Sequence, residues 1–283
     1  MDAGSAEHGG RVKPLVIRAE RPWRDLGLAE LWEYRELLYF LTWRDVKVKY
    51  KQTHLGVAWA VLQPTLSMLV FSVVFGRVAG LPSHGVPYPL FTYAALLPWQ
   101  LFANALTQSS NSLVNNQALL TKVYFPRVLI PAATVLGGVI DFVVALSLLL
   151  AMMLYYGVYP SLRMLTLPLF ALLAVGAALS VGIWLAALNV RYRDVRYTVP
   201  FLTQFWLFAS PVAYSSAVVP ERYRALYALN PMAAVVDGFR WALLGVESLA
   251  IVPLLGGALV TALMLAGGLV FFRRTEATFA DVI

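Results

Sequence analysis

From residue 52 onward the chain alternates long uncharged apolar blocks with short polar or charged interruptions. Residues 52–76 contain no Asp, Glu, Lys or Arg, and neither do residues 78–121. About 20 apolar residues in a helix cross a hydrocarbon core of ~30 Å, so each block is long enough to span a membrane. Pro82, Gly85, Pro87 and Pro89 divide the second block with a turn, and Pro64 predicts a kink within the first. The pattern predicts an all-α polytopic membrane protein with six transmembrane helices, at about residues 55–76, 90–110, 128–156, 165–189, 198–214 and 250–272. An even number of crossings puts both termini on one side.

Four segments fall outside that scheme. Residues 1–22 are polar, with Gly4, Gly9 and Gly10, and read as a flexible tail. Residues 23–51 follow as an amphipathic helix and a basic anchor. Leu28, Leu31, Trp32, Tyr34, Leu38, Tyr39 and Leu41 share one face between Asp25 and Arg44, with Glu30, Glu33 and Glu36 opposite and Arg35, Leu37 and Phe40 off pattern. Such a helix is expected to lie in the membrane interface. The basic cluster Arg44, Lys47, Lys49 and Lys51 before the first span is expected to meet anionic headgroups. The segment 111–127 opens with Asn111, Ser112, Asn115, Asn116 and Gln117, too polar for lipid, and ends with Lys122, Phe125-Pro126 and Arg127. Residues 217–245 are half apolar and are broken by Asn230-Pro231 into two helices too short to span. Irregular backbone at membrane depth needs protein or a cavity around it, so this segment is expected as a re-entrant helix pair entering from the outer face between spans 5 and 6.

Composition agrees with the pattern: 60% hydrophobic and 13% charged residues, with a mean hydropathy of +0.70. Soluble domains run near a quarter charged. The net charge of +7 belongs to topology rather than to nucleic acid. Of the 22 Lys and Arg, 17 fall on the side of the termini and five (Arg77, Arg163, Arg222, Arg224 and Arg240) on the other. By the positive-inside rule both termini are cytoplasmic. The charged first 51 residues show no cleavable signal, and the first span is expected to direct insertion. There is no cysteine, which excludes disulfides and thiolate metal sites.

Catalytic signatures are missing. No Gly-Lys dipeptide exists, hence no phosphate-binding P-loop, and His8, His54 and His84 lack metal-ligand spacing. Asp141 is the one acid expected inside a span and should face the bundle interior, as a structural hydrogen-bond partner or as a relay. A membrane enzyme acting on polyprenyl-linked sugars would need clustered carboxylates, which the spans do not carry. Aromatic residues are plentiful, and Trp59, Trp99, Phe102, Phe205, Trp206 and Tyr214 stand where helix packing or stacking on sugar rings would both be served. The small pairs Gly176/Ser180, Gly256-Gly257 and Gly267-Gly268 permit close helix approach.

Several motifs then occur in one order: Leu55-Gly56 with Trp59 and Gln63-Pro64; Pro98-Trp99 with Phe102; Lys122-Val123 with Phe125-Pro126-Arg127 and Pro131; Arg193-Asp194; Ser210-Pro211 with Tyr214; Asn230-Pro231-Met232 with Phe239-Arg240. From about residue 28 the chain resembles the permease subunit of ABC-2-type polysaccharide exporters, the family moving O-antigen, capsule-like polymers and teichoic acids. The resemblance implies a homodimer in the bacterial inner membrane. It further implies two copies of a separate ATPase that carries the Mg-ATP, no cofactor on this chain, and a polyprenyl pyrophosphate-linked polysaccharide as substrate. It assigns ATPase coupling to Asn115, Asn116, Lys122, Phe125, Arg127, Arg193, Asp194 and Glu33, a glycan path to the aromatics above, and an outer gate to Asn230, Pro231, Met232, Phe239 and Arg240. Teichoic acid, a lipid or a drug remain alternative substrates.

Overall fold

The computed structural model describes residues 32–51, 56–246 and 249–279, and the regular elements among them are all helical. The expected tail, the first part of the interface helix with Leu28, Glu30 and Leu31, and His8 and His54 lie outside the described residues. In chain order the helices are α1 (Arg35–Lys51), α2 (Gly56–Phe71), α3 (Tyr88–Asn115), α4 (Gln117–Lys122), α5 (Leu129–Tyr155), α6 (Leu167–Arg191), α7 (Val195–Phe208), α8 (Glu221–Tyr227), α9 (Pro231–Leu244) and α10 (Ile251–Glu276). A wider turn of helix at Ser72–Val78 extends α2, and a tighter one at Leu162–Thr166 leads into α6.

Four helical stretches are both long and apolar enough to cross a membrane: Gly56–Val78, Leu129–Tyr155, Leu162–Arg191 and Ile251–Glu276. The expected second and fifth spans differ from these. With 28 residues α3 has ample length, but amides and hydroxyls crowd its second half, from Gln100 to Asn115. α7 has 14 residues, which at ~1.5 Å each gives a helix shorter than a ~30 Å core. The segment expected as two short helices does break at Asn230-Pro231, into helices of seven and 14 residues. The reason is local: the Asn230 side chain accepts the Met232 N–H at 3.1 Å, and Pro231 starts α9 where no intrahelical donor is needed.

α3 is the central element. Residues 90–99 are buried without interruption, and the helix packs most extensively on α6 and α5, then on α9, α2 and α7. Missing side chains allow the closest approaches. A Cβ on Gly182 would stand 2.5 Å from the Ser109 hydroxyl, and one on Gly238 2.3 Å from the Phe170 ring. Two of the pairs singled out in the sequence act in the same way, with Gly257 against the Pro231 backbone and Gly268 against Trp184. One large apolar cluster surrounds α3, α6 and α9. A second joins Leu41, Leu113, Leu120, Phe125, Leu129, Val190, Phe272 and Phe279 at one end of the bundle. That end gathers the C-terminal ends of α3, α6 and α10 and the start of α5.

Candidate functional site

Functional residues collect at that end, at mid-height and at the opposite end. At the first, α3 stops at Asn116, whose side-chain amide donates back to the Ser112 carbonyl at 2.8 Å. Its Oδ1 accepts from the Arg44 guanidinium at 2.8 Å, which ties α1 to the break. Buried Asn189 of α6 donates to the Ser110 carbonyl at 2.9 Å and to Asn111 Oδ1 at 3.1 Å. Phe125 is buried, and Arg127 is held by the end of α10: its N–H donates to Glu276 Oε1 at 2.9 Å and its Nη1 to the Glu276 carbonyl at 2.5 Å. Asn115, Lys122, Arg193, Asp194 and Glu33 are exposed. The expected coupling residues therefore split into an anchored group (Asn116, Phe125, Arg127) and an outward-facing group.

Midway along α5, Asp141 accepts hydrogen bonds from the Lys49 ammonium and the Tyr50 hydroxyl of α1. Burial, then the hydrogen bond and the charge of Asp141, push the Tyr50 phenol above its ordinary range. Val46 lies against Gly137, and Lys49 and Tyr50 against Asp141, so α1 runs beside α5 from the latter's start toward its middle. Lys49, expected at headgroups, instead joins an ion pair with Asp141.

Beside this pair a pocket of about 210 Å³ opens between α2, α3 and α5. Gln63, Gln100, Asn104, Gln108, Trp59 and Asp141 give it a polar lining. Gln63 belongs to a motif noted in the sequence, whereas Gln100, Asn104 and Gln108 were missed, although their four-residue spacing is visible in the chain.

At the opposite end, Arg240 is fully buried. Its guanidinium donates to the Val212 and Tyr214 carbonyls, each at 2.9 Å, and to Phe91 O at 3.4 Å, and it lies 3.5 Å from the centre of the Phe91 ring. Arg240 thus clamps α9 to the start of α3 and to the turn after α7. Asn230 also reaches that turn, donating to Ser210 Oγ at 3.0 Å. Pro231, Met232 and Phe239 are buried beside it.

The aromatic candidates separate by location. Trp99 and Phe102 are buried, and the Phe102 ring meets Trp206 edge-on at 4.9 Å. Trp206 also donates to Asn230 Oδ1 at 3.0 Å, and Tyr214 is half-buried, donating to the Phe208 carbonyl. Trp59 and Phe205 face outward, at 53% and 69% exposure. Phe205 belongs to an exposed aromatic ladder on α7 with Tyr197, Phe201 and Phe208. Among the described residues, no cluster of His, Cys, Asp or Glu forms a metal site.

Comparison with known proteins gives a consistent result. A family model described as ABC-2 type transporter matches residues 36–244. The O-antigen export system permease protein RfbA of Myxococcus xanthus is 32% identical over 257 residues, covering 90% of this chain and 98% of that protein. RfbA of Klebsiella pneumoniae is 28% identical, covering 88% and 95%. The polysialic acid transport protein KpsM of Escherichia coli is 23% identical, covering 82% and 91%.

Proposed function

Because the chain belongs to the ABC-2 type transporter family of membrane permeases, we propose that it forms the membrane path of an exporter for an O-antigen-like polysaccharide on a polyprenyl pyrophosphate carrier. The observation that carries this reading is the identity of 28–32% with O-antigen export permeases along nearly the whole chain. ATP hydrolysis belongs to a separate partner present in two copies, and the permease is a homodimer in the bacterial inner membrane. Six crossings are made by α2, α3, α5, α6, α7 and α10, with both termini cytoplasmic. The shortness of α7 is compatible with this if the turn at 209–215 and the clamped α8–α9 pair complete the outer part of the span as a re-entrant element.

In this arrangement the ATPase dimer bears on the exposed residues Asn115, Lys122, Arg193, Asp194 and Glu33. Arg44–Asn116 passes the motion to α1, and Arg127–Glu276 passes it to α10. Outward-facing Trp59 and Phe205 lie on the glycan path, whereas buried Phe102 and half-buried Trp206 hold α7 to α3. Arg240 and Asn230 brace the outer gate. Charge reversal at Lys122 and Arg193 together is expected to reduce co-purification of the partner ATPase and surface polysaccharide several-fold, with the permease still in the membrane. Full ATPase binding and export in that double variant would refute the coupling assignment. Deletion of the chain is expected to abolish surface polysaccharide and to leave lipid-linked polymer inside the cell. Surface polymer at the original level would refute the transport assignment.

A further inference from the structure

Gln100, Asn104 and Gln108 recur every fourth residue of α3, so each is turned only ~40° from the one before, and they form a single stripe. Gln63 and Trp59, four residues apart on α2, face the same pocket, and Asp141 of α5 lies at its side. Gln100 and Asn104 are half-buried and Gln63 and Gln108 exposed. Among the described residues none of the four amides makes a hydrogen bond. This contrasts with Asn111, Asn116, Asn189 and Asn230, each engaged within the fold. An amide stripe without protein partners, on a helix whose first half is buried and apolar, is open to a ligand with hydrogen bonds of its own.

The chemistry of the lining narrows the ligand. Every carboxamide offers an N–H donor and a carbonyl acceptor, the combination that matches a hydroxyl group, which does both. Trp59 presents an indole that is half exposed, suited to the apolar face of a ring. The Asp141 carboxylate adds an acceptor, while Lys49 and Tyr50 hold it in place. The volume suits one ring-sized unit rather than a large ligand.

We propose that this pocket is a saccharide subsite, where one hydroxylated ring of the transported polymer is held by Gln63, Gln100, Asn104 and Gln108 against Trp59. The proposal rests on the polysaccharide-export reading and joins the motif residues Trp59 and Gln63 to the amides of α3 in one location. It also gives α1 a second role: the helix that binds the Asn116 break through Arg44 ends at the pocket through Lys49 and Tyr50. Movement at the break is thereby transmitted to the subsite.

The absence of cysteine makes a direct test possible. Asn104→Cys, and separately Gln108→Cys, each supply the chain's sole thiol. Membrane vesicles holding the complete exporter are prepared from cells that make the glycan and from cells blocked in its first synthetic step. The rate of labelling by a water-soluble charged methanethiosulfonate is then measured without nucleotide. The expected result is fast labelling in glycan-free vesicles and labelling several-fold slower in glycan-bearing ones, with Tyr155→Cys, exposed at the far end of α5, reacting equally in both. Equal rates at 104 and 108 would mean a pocket that holds water only, and no labelling in either would mean a closed one; both overturn the subsite. Gln100→Leu with Asn104→Leu is expected to cut export several-fold while the complex still assembles, and undiminished export overturns the proposal as well. If deletion of the chain abolishes surface polysaccharide but labelling is unaffected by glycan, the subsite alone fails. If deletion leaves surface polysaccharide intact, the export reading itself fails.

Discussion

At the scale of single residues, Arg240 carries the heaviest structural load. A fully buried guanidinium is tolerable because carbonyl dipoles and an aromatic face meet its charge. Arg240→Met would leave the Val212 and Tyr214 carbonyls without that donor, at a cost of about 1–3 kcal/mol for each group left unsatisfied. The purified protein in detergent is expected to unfold at a clearly lower temperature. Arg240→Lys should fall between, since an ammonium keeps the charge but lacks the planar fork that reaches three carbonyls. Tryptophan fluorescence during heating checks both, and an unchanged midpoint for Arg240→Met would remove the clamp from the account. Asn230 shows the same economy on a smaller scale, capping α9 and bonding the turn after α7 with one side chain.

At the scale of elements, the closeness of helix pairs depends on where side chains are missing. α9 approaches α6 at Gly238, where an added methyl would stand 2.3 Å from a carbon of the buried Phe170 ring. Gly238→Ala must push the two helices apart, and overpacking of this kind costs about 1–3 kcal/mol. Gly176 offers a contrast, because its added methyl would meet Thr261 at 3.4 Å, an ordinary contact. Gly176→Ala is expected to be neutral or stabilising by up to about 1 kcal/mol, through the better helix propensity of alanine. Thermal unfolding of the two variants side by side tests the difference. Equal stability would mean that α9 yields easily. α1 illustrates the other side of element packing: its exposed Tyr39 and Phe40, with Trp32 just before it, suit an interface, yet its last turn is secured beside α5 by a charge pair.

At the scale of the molecule, apolar surface remains on faces that one chain cannot cover. α2 buries only Pro64 and Met68, and leaves Leu62, Leu66, Leu69 and Val73 exposed along one stripe. α7 buries only Val199 and Thr203. Lipid covers part of this surface, but the proposed homodimer places the α2 stripe against a second copy. Light scattering after size-exclusion chromatography is expected to give twice the 31.2 kDa chain mass once detergent is subtracted. Leu66→Glu with Leu69→Glu is expected to give the single mass with helical content unchanged. A persistent dimer in that variant would move the contact to another face.

The sequence by itself determined the all-helical membrane class, the break at Asn230-Pro231 and the small-residue contacts. Those features follow from neighbours in the chain: uncharged length, a cap beside a proline, or a missing Cβ. It also carried the motifs that pointed to the family which the comparisons establish. The pairing of Lys49 with Asp141, 92 residues apart, was beyond its reach, as was the enclosure of Arg240 by carbonyls of the turn after α7 and of α3. Phe102 and Phe205 both stand among apolar neighbours in the chain, and only the packing of the helices buried the first and exposed the second. The amide stripe on α3 lies between these cases. Its spacing was written in the chain, but only the packing of α2 and α5 beside it turned a polar interruption into a pocket.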